Sequence, residues 1–152
     1  MIVKAFVDTN VLVYAYDRAA GAKRDLACNL LEALWNEGRG VLSTQVLQEF
    51  YVNVRRKTRP LVFPDEARAL VSDHLAWEPI TNDGAAVLEA IDTGHRYRLS
   101  FRDALIVVAA RKADASVLYS EDLNHGQTFG SVRVLNPFLE HARHRTARWQ
   151  GR

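Results

Sequence analysis

The chain contains one cysteine and no long apolar run among its 152 residues. Because Cys28 stands alone, a disulfide within the chain and a zinc site built from several thiolates are both excluded. Lys4, Asp8 and Asp17 interrupt the apolar start of the chain, so no stretch reaches the length that a transmembrane helix needs. The same region lacks the pattern of a signal peptide. We therefore expect a cytoplasmic protein without a membrane partner.

Neither sign of charge dominates. The 20 basic and 18 acidic residues give a formal net charge of +2, which alone is too small to indicate nucleic-acid binding. The basic residues are nevertheless grouped, in RRKTR (55–59), in HRYRLSFR (95–102) and in the tail HARHRTARWQGR. Each cluster alone is equally compatible with a solvated surface, but the first two lie near acidic motifs, which favours a functional interpretation.

Apolar segments of strand length alternate with longer segments of helical periodicity. This alternation predicts an α/β fold, with helices in three α/β/α layers around a mostly parallel central sheet. No repeat, low-complexity tract or flexible linker divides the chain, and its length suits one domain. We assign that domain to residues 1–138 and a basic C-terminal tail to residues 139–152.

The segments that follow from these patterns have defined bounds. Strands are expected at 2–7, 41–42, 78–81, 117–120 and 132–135. Helices are expected at 11–16, 23–36, from 44 to 54, from Pro64 to 75, at 85–91 and at 104–113, and Ser100 with Asp103 has the spacing of a capping box.

Four acidic residues stand where strands or helices begin or end: Asp8, Glu49, Asp103 and Asp122. Asp8 and Asp122 follow apolar strands, and ligands bind at the carboxyl ends of the strands in an open parallel sheet. No lysine stands within the four motifs. Two carboxylates about 4 Å apart repel by roughly 4 kcal/mol at an effective dielectric constant of about 20. If the fold brings the four together, they must hold protons or bind a hard divalent cation such as Mg²⁺ or Mn²⁺.

Each acid also has a structural explanation when it is taken alone. Asp103 is equally placed to cap a helix, and Glu49 to lie on a solvated helix face. Glu121 competes with Asp122 for the inward position. Because substitution of Asp8 by Asn would relieve carboxylate repulsion, we expect that variant to keep its fold.

The segments FVDTNVLVYAYD, VLQEFYVNV, SFRDALIVVAA and LYSEDLNHGQ…VRVLNPF resemble PIN domains, most closely the VapC-type toxins of bacterial toxin–antitoxin pairs. The resemblance covers roughly residues 2 to 138. It implies an Mg²⁺- or Mn²⁺-dependent ribonuclease whose catalytic and metal-binding acidic quartet is Asp8, Glu49, Asp103 and Asp122. The supporting polar positions that it implies are Thr9, Asn10 and Ser120, with Glu121 as an additional carboxylate. Ser120 stands where the family commonly has a threonine.

The resemblance also implies partners. RNA is the implied substrate, and the basic residues near the acidic motifs are the candidate contacts through which it would approach: Arg55, Arg56, Arg96, Arg98 and Arg102. A cognate antitoxin would lay its C-terminal segment across the acidic crevice, where one of its arginines would pair with the carboxylates and displace the metal. A homodimer is expected, with the helices of residues 46–54 and 70–75 as candidate faces.

Two alternatives remain open from the sequence. One is a catalytically silent PIN fold that binds RNA or a protein partner, although silent copies usually lose acidic residues that this chain retains. The other is a housekeeping RNA-processing nuclease. Haloacid-dehalogenase phosphatases are disfavoured because Asn10 stands where they need a second aspartate. Receiver domains are disfavoured because the lysine that they need after a late strand is not recognisable.

Overall fold

A five-stranded sheet forms the framework of the protein, whose computed structural model describes residues 2–56 and 58–139. The strands are β1 (Ala5–Val7), β2 (Gly40–Val41), β3 (Val117–Tyr119), β4 (Thr128–Phe129) and β5 (Val132–Leu135). Their order is β2-β1-β3-β5-β4, and all neighbours are parallel except β4 and β5. Helices flank the sheet, which confirms the predicted α/β class with its mostly parallel central sheet.

Six α-helices connect the strands: α1 (Thr9–Tyr14), α2 (Ala22–Glu37), α3 (Thr44–Val54), α4 (Pro64–His74), α5 (Gly84–Tyr97) and α6 (Phe101–Lys112). Four of them begin at side-chain caps, because Asp8, Ser43, Asp83 and Ser100 each accept a hydrogen bond from a backbone N–H of the first turn. The caps at Ser43, Asp83 and Ser100 agree with the predicted helix starts. Pro64 opens α4, as expected from its fixed φ.

One buried row of side chains crosses the parallel strands. Phe6, Leu118 and Val134 pair in register across β1, β3 and β5, and all three are fully buried. Phe50 of α3 and Ile106 of α6 belong to the same core cluster. Because this apolar row fixes how the strands align, it also fixes which residues emerge together at their carboxyl ends.

The structure differs from the predicted segments in four places. β1 is shorter than 2–7, since Ile2 and Val3 are exposed and have no neighbouring strand. The expected strand at 78–81 is reduced to one bridge between Ser43 and Ile80. β4 was not predicted; it forms a short antiparallel hairpin with β5 in which Gly130 has φ +64°. α5 continues six residues beyond the expected end at residue 91.

The described residues do not extend to the end of the chain. The expected tail at 139–152 lies outside them apart from Leu139, and so does Lys57 of the RRKTR cluster. Within the part that is described, no helix combines the length and the apolar character required to cross a membrane.

Gly40 in β2 tests the packing of this edge of the sheet. A Cβ atom at residue 40 would lie 2.4–2.6 Å from the indole ring of Trp77, which packs against Trp35 and His74. We expect Gly40→Ala to lower the free energy of unfolding by about 1–3 kcal/mol through overpacking, as measured by urea denaturation.

Gly84→Ala is the matched control. Residue 84 is the first of α5 and a Cβ there meets nothing within 4 Å, so alanine should be neutral or stabilise by up to about 1 kcal/mol. Equal stability of the two variants would show that the Trp77 ring can move away from the new Cβ atom without loss of unfolding free energy.

Candidate active site

The register of β1 and β3 places two polar residues side by side at the carboxyl edge of the sheet. Val7 pairs with Tyr119, so the next residues, Asp8 and Ser120, emerge as neighbours. The Ser120 hydroxyl donates to Asp8 Oδ2 at 2.9 Å, and the backbone N–H of Thr9 donates to Asp8 Oδ1 at 2.7 Å. The Asp8 side chain is 1% exposed. A buried carboxylate is therefore held at the edge where the connections of the sheet diverge, β1 toward β2 and β3 toward β5.

Helices α3 and α6 bring two further acids to this edge. Glu49 lies in α3 and accepts a hydrogen bond from the Thr9 hydroxyl at 2.6 Å. Asp103 lies in the first turn of α6, where its backbone N–H donates to Ser100. The Gln45 amide ties the two helices together, since its Nε2 donates to the Arg102 carbonyl at 3.2 Å and to Glu49 Oε2 at 3.4 Å.

The guanidinium of Arg102 lies among these three carboxylates. Its Nη2 donates to Asp8 Oδ1 at 2.7 Å, to Glu49 Oε1 at 2.6 Å and to Thr9 Oγ1 at 3.0 Å. Its Nη1 donates to Asp103 Oδ1 at 3.0 Å, and its Nε to Glu49 at 3.1 Å. All three guanidinium nitrogens therefore bind acidic side chains, and the arginine joins three of the four predicted acids directly.

This arginine corrects two expectations drawn from the sequence. The sequence predicts that protons or a divalent cation relieve the carboxylate repulsion. In the structure, the guanidinium of Arg102 does so instead. The Asp8→Asn expectation is also revised: Asp8 accepts hydrogen bonds from Arg102, Ser120 and Thr9, so the substitution breaks a buried ion pair instead of relieving repulsion. Loss of one partner of such a pair is destabilising.

The ion pairs shift the pKa values of both partners. Burial raises the pKa of Glu49, but hydrogen bonds from Arg102 and Thr9 outweigh it and leave that pKa below its usual value. Burial has the opposite effect on Arg102 and lowers its pKa. The hydrogen bonds from Arg102 to Asp8 and Glu49 outweigh burial and leave the pKa of Arg102 above its ordinary value. Arg102 therefore stays charged, and Glu49 stays ionised at neutral pH.

The fourth acid stands at the rim. Asp122 is exposed and accepts a hydrogen bond from the Asn10 amide at 2.9 Å. Partial burial of the carboxyl and the nearby negative charge of Asp8 raise the pKa of Asp122, while the charge of Arg102 opposes that rise. Because Asn10 directly follows Thr9, the hydrogen bond from Asn10 holds Asp122 near the other acids, although Arg102 does not bind it.

Glu121 points to a different set of partners. Its carboxylate accepts hydrogen bonds from Lys23 Nζ and from the Tyr14 hydroxyl, both at 2.6 Å. Burial together with the hydrogen bond to Glu121 raises the pKa of Tyr14. Of the two adjacent acids, Asp122 is thus the one associated with the Asp8 cluster, and Glu121 connects β3 to α1 and α2.

The cluster suits a divalent cation chemically. Its donors are carboxylate and hydroxyl oxygens, the ligands that Mg²⁺ and Mn²⁺ prefer, and three carboxylates already share one cationic group. Four carboxyl groups and one guanidinium give the cluster a formal charge of −3. Gln45 Oε1, a buried acceptor next to Glu49, has no hydrogen-bond partner in the structure. Among residues 2–56 and 58–139, however, no three acidic, His or Cys side chains are already arranged as metal ligands.

The other predicted basic residues are not part of this cluster. Arg55 donates to the Val62 carbonyl at 2.7 Å, and Arg56 contacts Asp17 and the Arg59 carbonyl, so both brace the loop after α3. Arg96 and Arg98 are exposed at the end of α5, where Arg96 lies over the Tyr97 ring. Arg102 was expected to contact RNA, whereas the structure places it among the carboxylates of Asp8, Glu49 and Asp103. Its position directly before Asp103 in the sequence is the signal that could have indicated this.

Several known protein structures have a similar fold. The toxin VapC20 of Mycobacterium tuberculosis, described as cleaving the sarcin–ricin loop, matches with a TM-score of 0.58 and 19% identity over 78% of this chain and 90% of its own. FitAcB of Neisseria gonorrhoeae matches with a TM-score of 0.59 and 16% identity over 88% and 98%. VapBC2 of Rickettsia felis, bound to a promoter DNA fragment, matches with a TM-score of 0.56 and 18% identity over 88% and 97%.

These likenesses are low in identity and concern the fold. No curated protein sequence matches the chain significantly. The model of the PIN domain family, in contrast, matches residues 5–128, a span that runs from β1 to the start of β4 and includes all four acids. The chain therefore belongs to the PIN domain family.

Proposed function

We propose that the protein is a divalent-metal-dependent endoribonuclease that acts in the cytoplasm as the toxin of a toxin–antitoxin pair. The observation that carries the proposal is the convergence of Asp8, Glu49 and Asp103 on one cationic group at the carboxyl edge of the sheet, with Asp122 beside them. Membership of the PIN family and the description of the structural neighbour VapC20 as a toxin support it.

Asp8, Glu49, Asp103 and Asp122 would hold the Mg²⁺ or Mn²⁺ ion. When bound, the metal supplies the charge that activates water and stabilises negative charge on the scissile phosphate. Ser120 and the Thr9 N–H orient the Asp8 carboxylate, the Thr9 hydroxyl orients Glu49, and the Asn10 amide orients Asp122. RNA would reach this edge past Arg96 and Arg98, which are exposed just before α6. Arg55 and Arg56 remain candidate RNA contacts beyond the far end of α3.

One observation favours the alternative of a catalytically silent PIN fold. An arginine that fills the position between the carboxylates is what a copy without metal would need in order to stay folded. The retained quartet argues for the nuclease, since a silent protein has no reason to keep an excess of three negative charges at one site.

Metal-dependent cleavage of total RNA decides between these functions. With Mg²⁺ or Mn²⁺ the purified protein should produce discrete fragments, and EDTA should abolish them. Because the proposed nucleophile is water, the fragments should carry 5′-phosphate and 3′-hydroxyl ends. Fragments with 2′,3′-cyclic phosphates would contradict water attack, and a folded, metal-binding protein that cleaves no RNA would favour the silent alternative.

The adjacent pair Asp122 and Glu121 offers a matched test of the site. Asp122→Asn should reduce cleavage by about two orders of magnitude or more, with unfolding stability unchanged or raised at pH 7. Stability is not lost because a carboxyl whose pKa is raised by folding destabilises the folded state when it is ionised.

Glu121→Gln should show the opposite pattern. It weakens the contact with Lys23 and so lowers the unfolding free energy by about 0.5–1 kcal/mol, while cleavage persists. The measurements are RNA cleavage rate and thermal unfolding of both variants. Full activity in Asp122→Asn together with inactivity in Glu121→Gln would exchange the two roles.

An antitoxin and a second copy of the chain are the proposed protein partners. VapC20, which has a similar fold, is described as a toxin, which supports the antitoxin. An apolar groove between α3 and α4, with Leu47, Tyr51, Val52 and Val71 in its lining, supports a homodimer face. Light scattering on the purified chain should give twice its mass of 17.2 kDa. A monomer at micromolar concentration would contradict the dimer. The antitoxin would be contradicted if the product of a neighbouring gene failed to relieve the growth arrest that the protein causes when it is expressed.

A further inference from the structure

The Arg102 side chain takes up the same carboxylate oxygens that a metal would use. Its Nη2 atom alone has oxygens of Asp8, Glu49 and Thr9 within 3.0 Å. Mg²⁺ binds its oxygen ligands at about 2.0–2.1 Å. A metal ion bound to these oxygens and the Nη2 group therefore cannot occupy the site at the same time. The positive charges of the two cations also repel each other at that distance.

The position of Arg102 in its helix makes this arrangement dependent on the acids. Arg102 is the second residue of α6, and the N-terminus of a helix carries partial positive charge. A cation there is disfavoured by the helix, whereas Asp103 one residue later is favoured. The carboxylates of Asp8, Glu49 and Asp103 and the Thr9 hydroxyl hold the guanidinium in place. A stronger cation at the carboxylates therefore removes all the ionic contacts that retain it.

Arg102 also has a route out of the cluster. Its side chain is 31% exposed, compared with 1% for Asp8, so the guanidinium lies on the solvent side of the buried carboxylate. A rotation of its own side chain frees the site, because Gln45 binds the backbone carbonyl of Arg102 and not the guanidinium. The backbone contact between α3 and α6 can persist while the guanidinium leaves.

We propose that Arg102 is an internal competitor of the catalytic metal: it neutralises the carboxylates in the metal-free protein and must swing outward before a divalent cation binds. This inference rests on the proposed function, since it concerns the same carboxylates, and extends it to regulation. The apparent metal affinity then equals the intrinsic affinity multiplied by the fraction of molecules in which Arg102 is out. At low metal concentration the protein is therefore catalytically inactive and remains stably folded.

Metal affinity without Arg102 provides the test. Isothermal titration calorimetry with Mn²⁺ should show that Arg102→Gln binds the ion about tenfold or more tightly than wild type, as expected if the outward form is under about a tenth of the metal-free protein. Arg102→Lys, which keeps the charge but loses the forked geometry, should lie between the two. In EDTA, Arg102→Gln should unfold at a lower temperature than wild type, because three carboxylates lose their common partner.

Arg111→Gln is the matched control. It removes the same charge from the same helix, nine residues further along and about 14 Å away. Such a charge is screened at physiological ionic strength, so the Mn²⁺ affinity should change by less than about twofold. A tenfold effect in both variants would reduce the result to general charge and overturn the proposal.

Wild-type protein gives a second readout that does not depend on a variant that folds. The Arg102 Nε–H group donates to Glu49, so its nitrogen–proton resonance should shift when Mg²⁺ is titrated into the metal-free protein. An unchanged resonance at saturating Mg²⁺ would mean that metal and arginine do not compete.

The outcomes separate this proposal from the nuclease itself. Equal or weaker Mn²⁺ binding by Arg102→Gln, or no binding by either protein, overturns the competition whatever the RNA assay shows. Tighter binding by Arg102→Gln in a protein that cleaves no RNA supports the competition and counts against the ribonuclease alone.

Discussion

Mutual repulsion of carboxylates at one edge of the sheet is the constraint on which the site depends. Asp8 is buried there with Glu49 and Asp103 close by. Three carboxylates in this arrangement are stabilised by a cation that lies among them. The described chain supplies that cation from within, through Arg102. Stability and function are therefore linked, since the feature that lets the metal-free protein fold is also the feature that a catalytic metal would have to replace.

The geometry of the site follows from pairing that is decided elsewhere. The buried row of Phe6, Leu118 and Val134 sets the register of three parallel strands, and one residue past the ends of two of those strands come Asp8 and Ser120. A slip of one residue would turn Asp8 away from the edge. Capping at Ser43 and Ser100 then starts α3 and α6 where Glu49 and Asp103 face the same point. The packing of the apolar core thus sets the positions of the charged groups at the edge of the sheet.

Competition for this site offers one physical account of how such a protein is regulated. Under the proposed function, the Arg102 guanidinium, a divalent metal and an arginine of a bound antitoxin would be alternative cations for the same oxygens. The family resemblance assigns the last of these to a partner chain, and the structure provides a comparable cation inside the protein. Under the proposed function, activity would depend on which cation holds the carboxylates, with RNA approaching only once the metal does.

The sequence by itself determined the fold class and most helix starts, because apolar periodicity and capping residues are local signals. Through its strand-end carboxylates it also indicated the four acids as candidate site residues. It did not reveal the hairpin of β4, whose two residues are too short for a periodic pattern. Nor did it separate Glu121 from Asp122, since adjacent side chains diverge only when partners such as Lys23 and Asn10 are in place. Only the tertiary structure decided the place of Arg102. From the sequence, an arginine is expected to be a charged surface residue. It becomes the partner of three acids only when two helices and a strand bring carboxylates from distant parts of the chain around it.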